Sequence, residues 1–304
     1  MKFIDRRQFL SAGASVALAS TYPSLSFSQE AMQWRKIPSS GEEIPVCGLG
    51  SSPIFMSFPE GGEDATASVI RAIFDMGGRM IDTPSFLRDT DPVLGQTLSG
   101  MGLLEESFLS AKITVRGREA GDRHLQRLQA ALGKTPLDLL MIHNMMDLSS
   151  HWPTLKEWKE SGRARYIGVT QTERVADDAL VKLMETGEVD MLQVNYSIQE
   201  PQAADRILPA AMDNGVAIVT IRPFSNGRYF GVVGGRELPE WVAEFDCESW
   251  AKFALKFILS HPAVTCALSE TSKPHHVVDN MRSGYGKLPD EDMRQRMYDY
   301  LWGL

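Results

Sequence analysis

The sequence predicts an α/β protein: one (β/α)8 TIM barrel, with an N-terminal β-hairpin and an extra C-terminal helix. Three observations predict it. Apolar runs of strand length alternate with helical periods from residue 48 to residue 281. Eight such strands can be placed, and eight is the number that closes a parallel sheet on itself. The rival is a doubly wound sheet, but Gly48-x-Gly50 runs into Ser-Ser-Pro, so no Gly-x-Gly-x-x-Gly turn links the first strand to its helix.

The first residues read as a targeting segment. Asp5-Arg6-Arg7-Gln8-Phe9-Leu10 precedes a weakly apolar stretch rich in Ala, Ser and Gly, and Ser26-Phe27-Ser28 offers a cleavage site. Paired arginines before x-Phe-Leu resemble the bacterial twin-arginine signal. Residues 1–28 are therefore expected to be a signal peptide, 29–33 a linker and 34–304 a single barrel domain. A periplasmic or otherwise exported protein is the corresponding expectation, with the twin-arginine export machinery as a partner during targeting. That route carries folded proteins, so a cofactor could be loaded before export.

The elements follow in order. Trp34–Ile37 and Ile44–Cys47 flank Ser39-Ser40-Gly41 as a hairpin, and Gly48–Ser52 reads as the first barrel strand. Asp64–Met76 carries apolar residues on a helical period, and Arg79–Asp82 is the second strand. Asp91–Leu98 is a short helix, Ser107–Ile113 a strand, and Arg118–Leu132 a helix stopped by Gly133. Leu137–His143 is a buried strand and Trp152–Ser161 a helix; Arg165–Thr170 is a strand and Glu173–Glu185 a helix. Met191–Tyr196, Ala203–Asp213 and Val216–Ile221 continue the alternation. Residues 225–248 read as a long loop after the seventh strand, of the kind that serves as a lid or binding element. Trp250–Ser260, Val264–Leu268 and Pro274–Met281 complete the repeat, and Asp290–Trp302 is the extra helix.

Composition narrows the function classes. The 304 residues carry a formal net charge of −8 without a basic run, which argues against a nucleic-acid partner. No run approaches the ~18 uninterrupted apolar residues of a transmembrane helix, so stable membrane insertion is not expected. Cys47, Cys247 and Cys266 are too scattered for a zinc site or a disulfide framework and read as small buried residues.

Chemistry concentrates at strand ends. Asp82, Lys112, His143 and Gln193 each close an apolar strand on its C-terminal side, where a barrel gathers its active site. A lysine held beside an aspartate stays charged and can lower the pKa of a nearby hydroxyl. A histidine can orient a carbonyl or donate a proton to it.

These residues carry a resemblance. Asp82-Thr83, Lys112 in Leu109-Ser110-Ala111-Lys112, and His143 in Leu139–Asn144 resemble the aldo-keto reductase superfamily. So do Tyr166–Gln171, Leu192–Ser197 and the Pro223–Gly227 turn, in the family's order over about residues 34–285. The resemblance implies a barrel holding NAD or NADP at its C-terminal mouth, and hydride transfer between nicotinamide and the carbonyl or alcohol carbon of a small molecule. It also implies a monomer, with the starting hairpin plugging the barrel bottom. By position, Asp82, Lys112 and His143 match three members of the family's catalytic tetrad. Thr170, Gln171 and Gln193 match positions that hydrogen-bond the nicotinamide carboxamide, although an Asn is usual where Gln171 stands. Pro223, Ser225, Gly227 and Arg228 match the loop over the pyrophosphate. Glu270, Thr271 and Ser272 match the segment around the adenosine phosphate, with Asn280 at the adenine contact.

Three departures accompany the match. Leu87 stands five residues after Asp82, where the family has its catalytic Tyr, and Arg88 follows where Gly is usual. Leucine has no ionisable proton, so the general acid of ordinary carbonyl reduction is missing there; His143, or Tyr229 from the long loop, are the replacements the sequence offers. Glu270 stands where NADP-preferring members often carry a cation, which favours NAD, while Arg222 and Lys273 nearby leave NADP open. Ile221 replaces the aromatic often stacked on the nicotinamide. Two functions fit: an exported oxidoreductase that keeps NAD(P) as a fixed cofactor, or a catalytically impaired barrel that binds a dinucleotide or small ligand, or acts as an interaction module.

Overall fold

The computed structural model describes residues 31–50, 62–84, 91–172 and 177–304. The signal segment 1–28, residues 51–52 of the first expected strand, Leu87 and Arg88, and the start of the expected helix 173–185 lie outside the described residues.

A two-stranded antiparallel hairpin comes first, β1 (Trp34–Lys36) and β2 (Glu43–Pro45). The barrel strands are β3 (Cys47–Leu49), β4 (Met80–Asp82), β5 (Phe108–Ile113), β6 (Leu137–Ile142), β7 (Ala164–Gln171), β8 (Met191–Asn195), β9 (Ala217–Ile221) and β10 (Val264–Ser269). They close in the order β10-β3-β4-β5-β6-β7-β8-β9, every pair parallel. The helices are α1 (Gly62–Asp75), α2 (Asp91–Gly100), α3 (Arg118–Leu132), α4 (Leu148–Glu160), α5 (Asp177–Met184) and α6 (Ala203–Asp213). They continue with α7 (Arg228–Val233), α8 (Trp250–Leu259), α9 (Pro274–Met281) and α10 (Glu291–Trp302). The expected (β/α)8 barrel, hairpin and final helix are all present.

Strand alternation divides the apolar residues into two cores. Met80, Phe108, Leu139, Met141, Tyr166, Met191, Ala217, Val219, Cys266 and Leu268 point inward, and Ile37 and Ile44 of the hairpin join them from below. The hairpin thus plugs the bottom, held by Arg35, which donates to the carbonyls of Leu259 (2.6 Å), His261 (3.3 Å) and Val264. The alternate residues, among them Ile81, Leu109, Leu140, Ile167, Leu192 and Ile218, pack outward against the helices. Both faces of each strand are buried, which is why the strands read as continuous apolar runs. The interior is tight: a Cβ on Gly168 would lie 1.9 Å from the Met191 carbonyl oxygen.

Helix ends follow local chemistry. Gly133 closes α3 in the left-handed conformation (φ 68°). Ser249 and Asp290 cap α8 and α10 by accepting from the backbone N–H of Lys252 and Met293.

Several boundaries move by a residue or more, and one expected loop is corrected. Cys47 belongs to the first barrel strand rather than the hairpin. Helix α4 starts at Leu148, ahead of the expected Trp152, and carries Pro153 inside it. Residues 225–248 are not an irregular loop: they hold a 3-10 turn (Ser225–Gly227), helix α7 and a second 3-10 segment (Glu240–Phe245). Tyr229, Val233, Val242 and Phe245 are buried. The helical spacing of Tyr229 and Val233 is too short a pattern to stand out among the glycines and arginines around it. Helix α10 packs on this segment, with Tyr300 against Trp241 and Trp250.

Candidate active site at the barrel mouth

Continuing each strand past its apolar inward residues gives the mouth. Met80 is followed on the same face by Asp82, Phe108 by Ser110 and Lys112, and Met141 by His143. Gly168 is followed by Thr170, Met191 by Gln193 and Asn195, Val219 by Ile221, and Leu268 by Glu270. The period of two therefore converts an apolar floor into a ring of polar groups.

Asp82 and Lys112 form the buried centre, at 2% and 3% exposure. Lys112 Nζ donates to Asp82 Oδ1 (2.6 Å) and Oδ2 (2.7 Å) and to the Thr83 carbonyl (2.8 Å). Ser110 Oγ donates to Asp82 Oδ1 at 2.8 Å, and Thr83 Oγ1 donates back to the Ser110 carbonyl at 2.9 Å. A buried ion pair needs this much satisfaction to persist. Behind the strand, His124 Nε2 lies 3.2 Å from the Lys112 carbonyl oxygen. Its Nδ1 is buried with no partner among the described residues, and burial depresses its pKa. The ring is therefore neutral and donates from Nε2.

His143 ends β6 and begins a short 3-10 turn through Met145. It is half-buried, and its pKa is lowered first by burial, then by the Lys112 charge, with Asp82 opposing. Neutral imidazole is thus its form near pH 7. The turn after it is strained: Asn144, Met145 and Asp147 all have positive φ, at 47°, 52° and 53°. Two side chains brace it. Thr170 Oγ1 accepts from the Asn144 N–H at 2.9 Å, and Asp147 Oδ2 accepts from the Gly117 N–H at 2.7 Å. Thr170 is where the sequence places it, but its hydroxyl holds the His143 turn.

Gln193 lies beside Thr170 in the sheet register and is 1% exposed. Its Nε2 has no hydrogen-bond partner among the described residues, which makes it a ready donor to a ligand in the mouth. Asn195, which sequence reasoning did not single out, follows on the same face. Its Nδ2 donates to the Thr172 carbonyl at 3.2 Å, while its Oδ1 is buried and has no partner among the described residues. The signal was there in the alternation, since Gln193 and Asn195 are two residues apart. Gln171 faces the other side of β7 and accepts from the Thr172 N–H through Oε1 at 2.8 Å.

Beside these groups opens a cleft of ≈ 360 Å³, walled by Arg222, Pro223, Phe224, Asn226, Gly227, Phe230 and Glu270. Pro223 and Gly227 thus lie in the cleft wall. Ser225 lies beneath it, buried, 3.3 Å from Ser197 Oγ. Arg228 points away and pairs with Glu200 on the surface; Arg222, at φ 56°, supplies the cation of the cleft instead. Tyr229 is no replacement acid: it is fully buried, donates to the Trp250 carbonyl at 2.9 Å, and burial pushes its pKa far up.

Glu270 is open to solvent yet set in this concave wall. Burial raises its pKa, Asp82 adds to the rise, and Arg222 and Lys112 partly offset it. Thr271, Ser272 and Asn280 are not among the residues lining the cleft. Thr271 Oγ1 accepts from the Lys273 N–H at 3.1 Å, Ser272 is half-buried, and Asn280 is buried in the last turn of α9.

Residues 56–296 match the model of the Aldo/keto reductase family. The chain is 22% identical to L-galactose dehydrogenase of Arabidopsis thaliana over 283 residues, covering 82% of this chain and 87% of that protein. It is 25% identical to D-threo-aldose 1-dehydrogenase of a Pseudomonas species over 227 residues, 62% of this chain and 68% of that one. Among solved structures, an aldo/keto reductase of Klebsiella pneumoniae in complex with NADP and acetate superposes with a TM-score of 0.73 at 21% identity, covering 86% and 93% of the two chains. Aldo-keto reductase AKR11C1 of Bacillus halodurans, in its holo form, gives 0.72 at 17% identity over 89% and 96%.

Proposed function

Since the chain belongs to the aldo/keto reductase family, and is an oxidoreductase by that membership, we propose that its barrel mouth carries hydride transfer between NAD or NADP and a small carbonyl or alcohol substrate. The observation that carries this reading is the buried Asp82–Lys112 pair, with His143 turned to the same mouth. Two charges at 2–3% exposure are costly to keep for stability alone, since apolar residues would fill the space at least as well.

The residues fit the nicotinamide end of such a cofactor. The orphaned Gln193 Nε2 supplies a donor suited to a carboxamide oxygen. When bound, the dinucleotide supplies or accepts the hydride. Asp82 holds the Lys112 ammonium in a fixed position at the mouth, where its dipole can favour a developing oxyanion. His143, neutral near pH 7, orients a carbonyl by hydrogen bonding rather than protonating it outright. Thr170 holds the His143 turn in place.

Leu87 in the position of the family's Tyr makes this a modified site. Proton delivery then falls to a weaker donor, and turnover is slow by roughly the 10²–10⁴-fold that a general acid contributes. The Arg6-Arg7 segment supports export by the twin-arginine route to the periplasm, with the cofactor loaded before export and retained. A retained cofactor suits a substrate that is both oxidised and reduced at one site.

The test is to mix the mature protein with reduced dinucleotide and general aldehydes and follow consumption of the reduced cofactor. Wild type should turn over slowly and Lys112→Met not at all. Equal rates in the two would sink the reading.

A further inference from the structure

Glu270 is the inward residue that ends the β10 run, and its position is shaped by its neighbours. Its Cγ lies 3.0 Å from where a Cβ on Gly50 would be, so the bare backbone after β3 makes room for the stem. The carboxylate then stands in the cleft wall with Arg222, Asn226 and Gly227. Only charge interactions and burial act on it; no hydrogen bond or ion pair holds it among the described residues.

The charges facing Glu270 come from several elements. Asp82 on β4 and Lys112 on β5 pair with each other, leaving Arg222 after β9 as the one cation of the cleft wall among the described residues. His143 faces the mouth from β6 and Lys273, His275 and His276 follow on Glu270's own segment. Among the described residues, one arginine and one carboxylate without a hydrogen-bond or ion-pair partner give a cleft wall that is close to neutral. A dinucleotide brings a diphosphate, which Arg222 attracts and an ionised Glu270 repels.

We propose that the Glu270 carboxyl takes up a proton from solvent when a dinucleotide's phosphates enter the cleft beside Arg222, so that cofactor binding is proton-linked and weakens as pH rises. The proposal rests on the reading that the mouth holds NAD(P). The sign follows from linkage: an anion bound beside a carboxyl favours its neutral form, and the complex therefore binds more protons than the free protein. Burial already inclines the group that way, since it raises the Glu270 pKa in the absence of ligand.

The test is fluorescence titration of NADH onto protein stripped of dinucleotide, wild type and Glu270→Gln, between about pH 5.5 and 8. NADH is the probe because its phosphodiester charges do not titrate in that window. Wild-type Kd should rise with pH, by up to about tenfold per unit where one group titrates. Glu270→Gln should lose the Glu270 part of this rise and bind about tenfold tighter than wild type at the alkaline end. The remaining titration of His143 is common to both chains and cancels. Identical pH profiles in the two proteins would overturn the proposal while leaving the cofactor reading intact. If Glu270→Gln does not fold, calorimetry of wild type in buffers of different ionisation enthalpy decides: proton uptake with NADH supports the proposal, and none across the range overturns it. Failure of both chains to bind NADH or NADPH at any pH overturns the cofactor reading, and this inference with it.

Discussion

Lys112 Nζ sits 2.6 Å and 2.7 Å from the two carboxylate oxygens of Asp82, with both side chains shielded from water by the barrel wall. Lys112 donates to both Asp82 oxygens and to the Thr83 carbonyl, so removing either charge alone leaves the other buried beside groups arranged for a pair. Lys112→Met and Asp82→Leu should each destabilise the protein by about 3–5 kcal/mol. The double variant should recover much of that loss, because a filled apolar core replaces a buried pair at little net cost. Denaturant unfolding of the four proteins checks this. Activity should vanish in both single variants and stay absent in the double. A double variant no more stable than its parents would contradict the pairing.

Much of this was legible in the sequence. Strands buried on both faces show as continuous apolar runs, so the barrel and its order could be read from residues 48–281. Asp82, Lys112 and His143 stood out because each is a polar residue ending such a run. What could not be read depended on backbone turns. Arg222 and Arg228 flank a turn whose residues adopt positive φ, and only the folded turn shows that Arg222 faces the cleft while Arg228 pairs with Glu200. The same holds for Tyr229, whose burial in α7 depends on packing against Phe224 and the Trp250 carbonyl. Thr170 stands at the mouth, and its hydroxyl accepts from the N–H of the left-handed Asn144.

Gln193 carries a buried amide nitrogen without a partner among the described residues. An unsatisfied buried donor costs about 1–3 kcal/mol, which a ligand acceptor would return. Gln193→Leu should therefore raise the melting temperature of the cofactor-free protein and weaken dinucleotide binding by about tenfold. Thermal unfolding with and without NADPH measures both effects. A lower melting temperature without cofactor, with unchanged affinity, would show that the amide is structural.

Leu87→Tyr places a hydroxyl five positions after Asp82, where the proposed function expects the family's Tyr to be missing. Reduction of a general aldehyde should rise by about 10²-fold or more if Lys112 and Asp82 can lower the pKa of the new hydroxyl. The gain should disappear when Lys112→Met is combined with it. No rise in the single variant would mean that the chemistry does not use a hydroxyl there.

Acid should destabilise the barrel through His261. Burial, then the Arg294 and Arg35 charges, lower its pKa to about 4. Its Nδ1 accepts from the Ala263 N–H at 3.2 Å, which requires the neutral ring. Above the unfolded value of about 6.5 both states are neutral and the contribution is level. As pH falls below that value the unfolded chain gains a proton that the folded ring resists, so stability declines until about pH 4. Water reaches part of the ring, so the loss should be about 1–2 kcal/mol. His261→Gln should flatten that part of the stability–pH curve, as read by urea midpoints. An unchanged slope would place the acid sensitivity elsewhere.

The central claim is that this barrel mouth holds a nicotinamide dinucleotide. The most direct measurement is to purify the mature protein from cells with export intact, denature it, and quantify the dinucleotide released. The account predicts close to one NAD(P)(H) per chain, or saturable rebinding where purification has stripped it. Protein that releases none, and binds neither NADH nor NADPH, would contradict it.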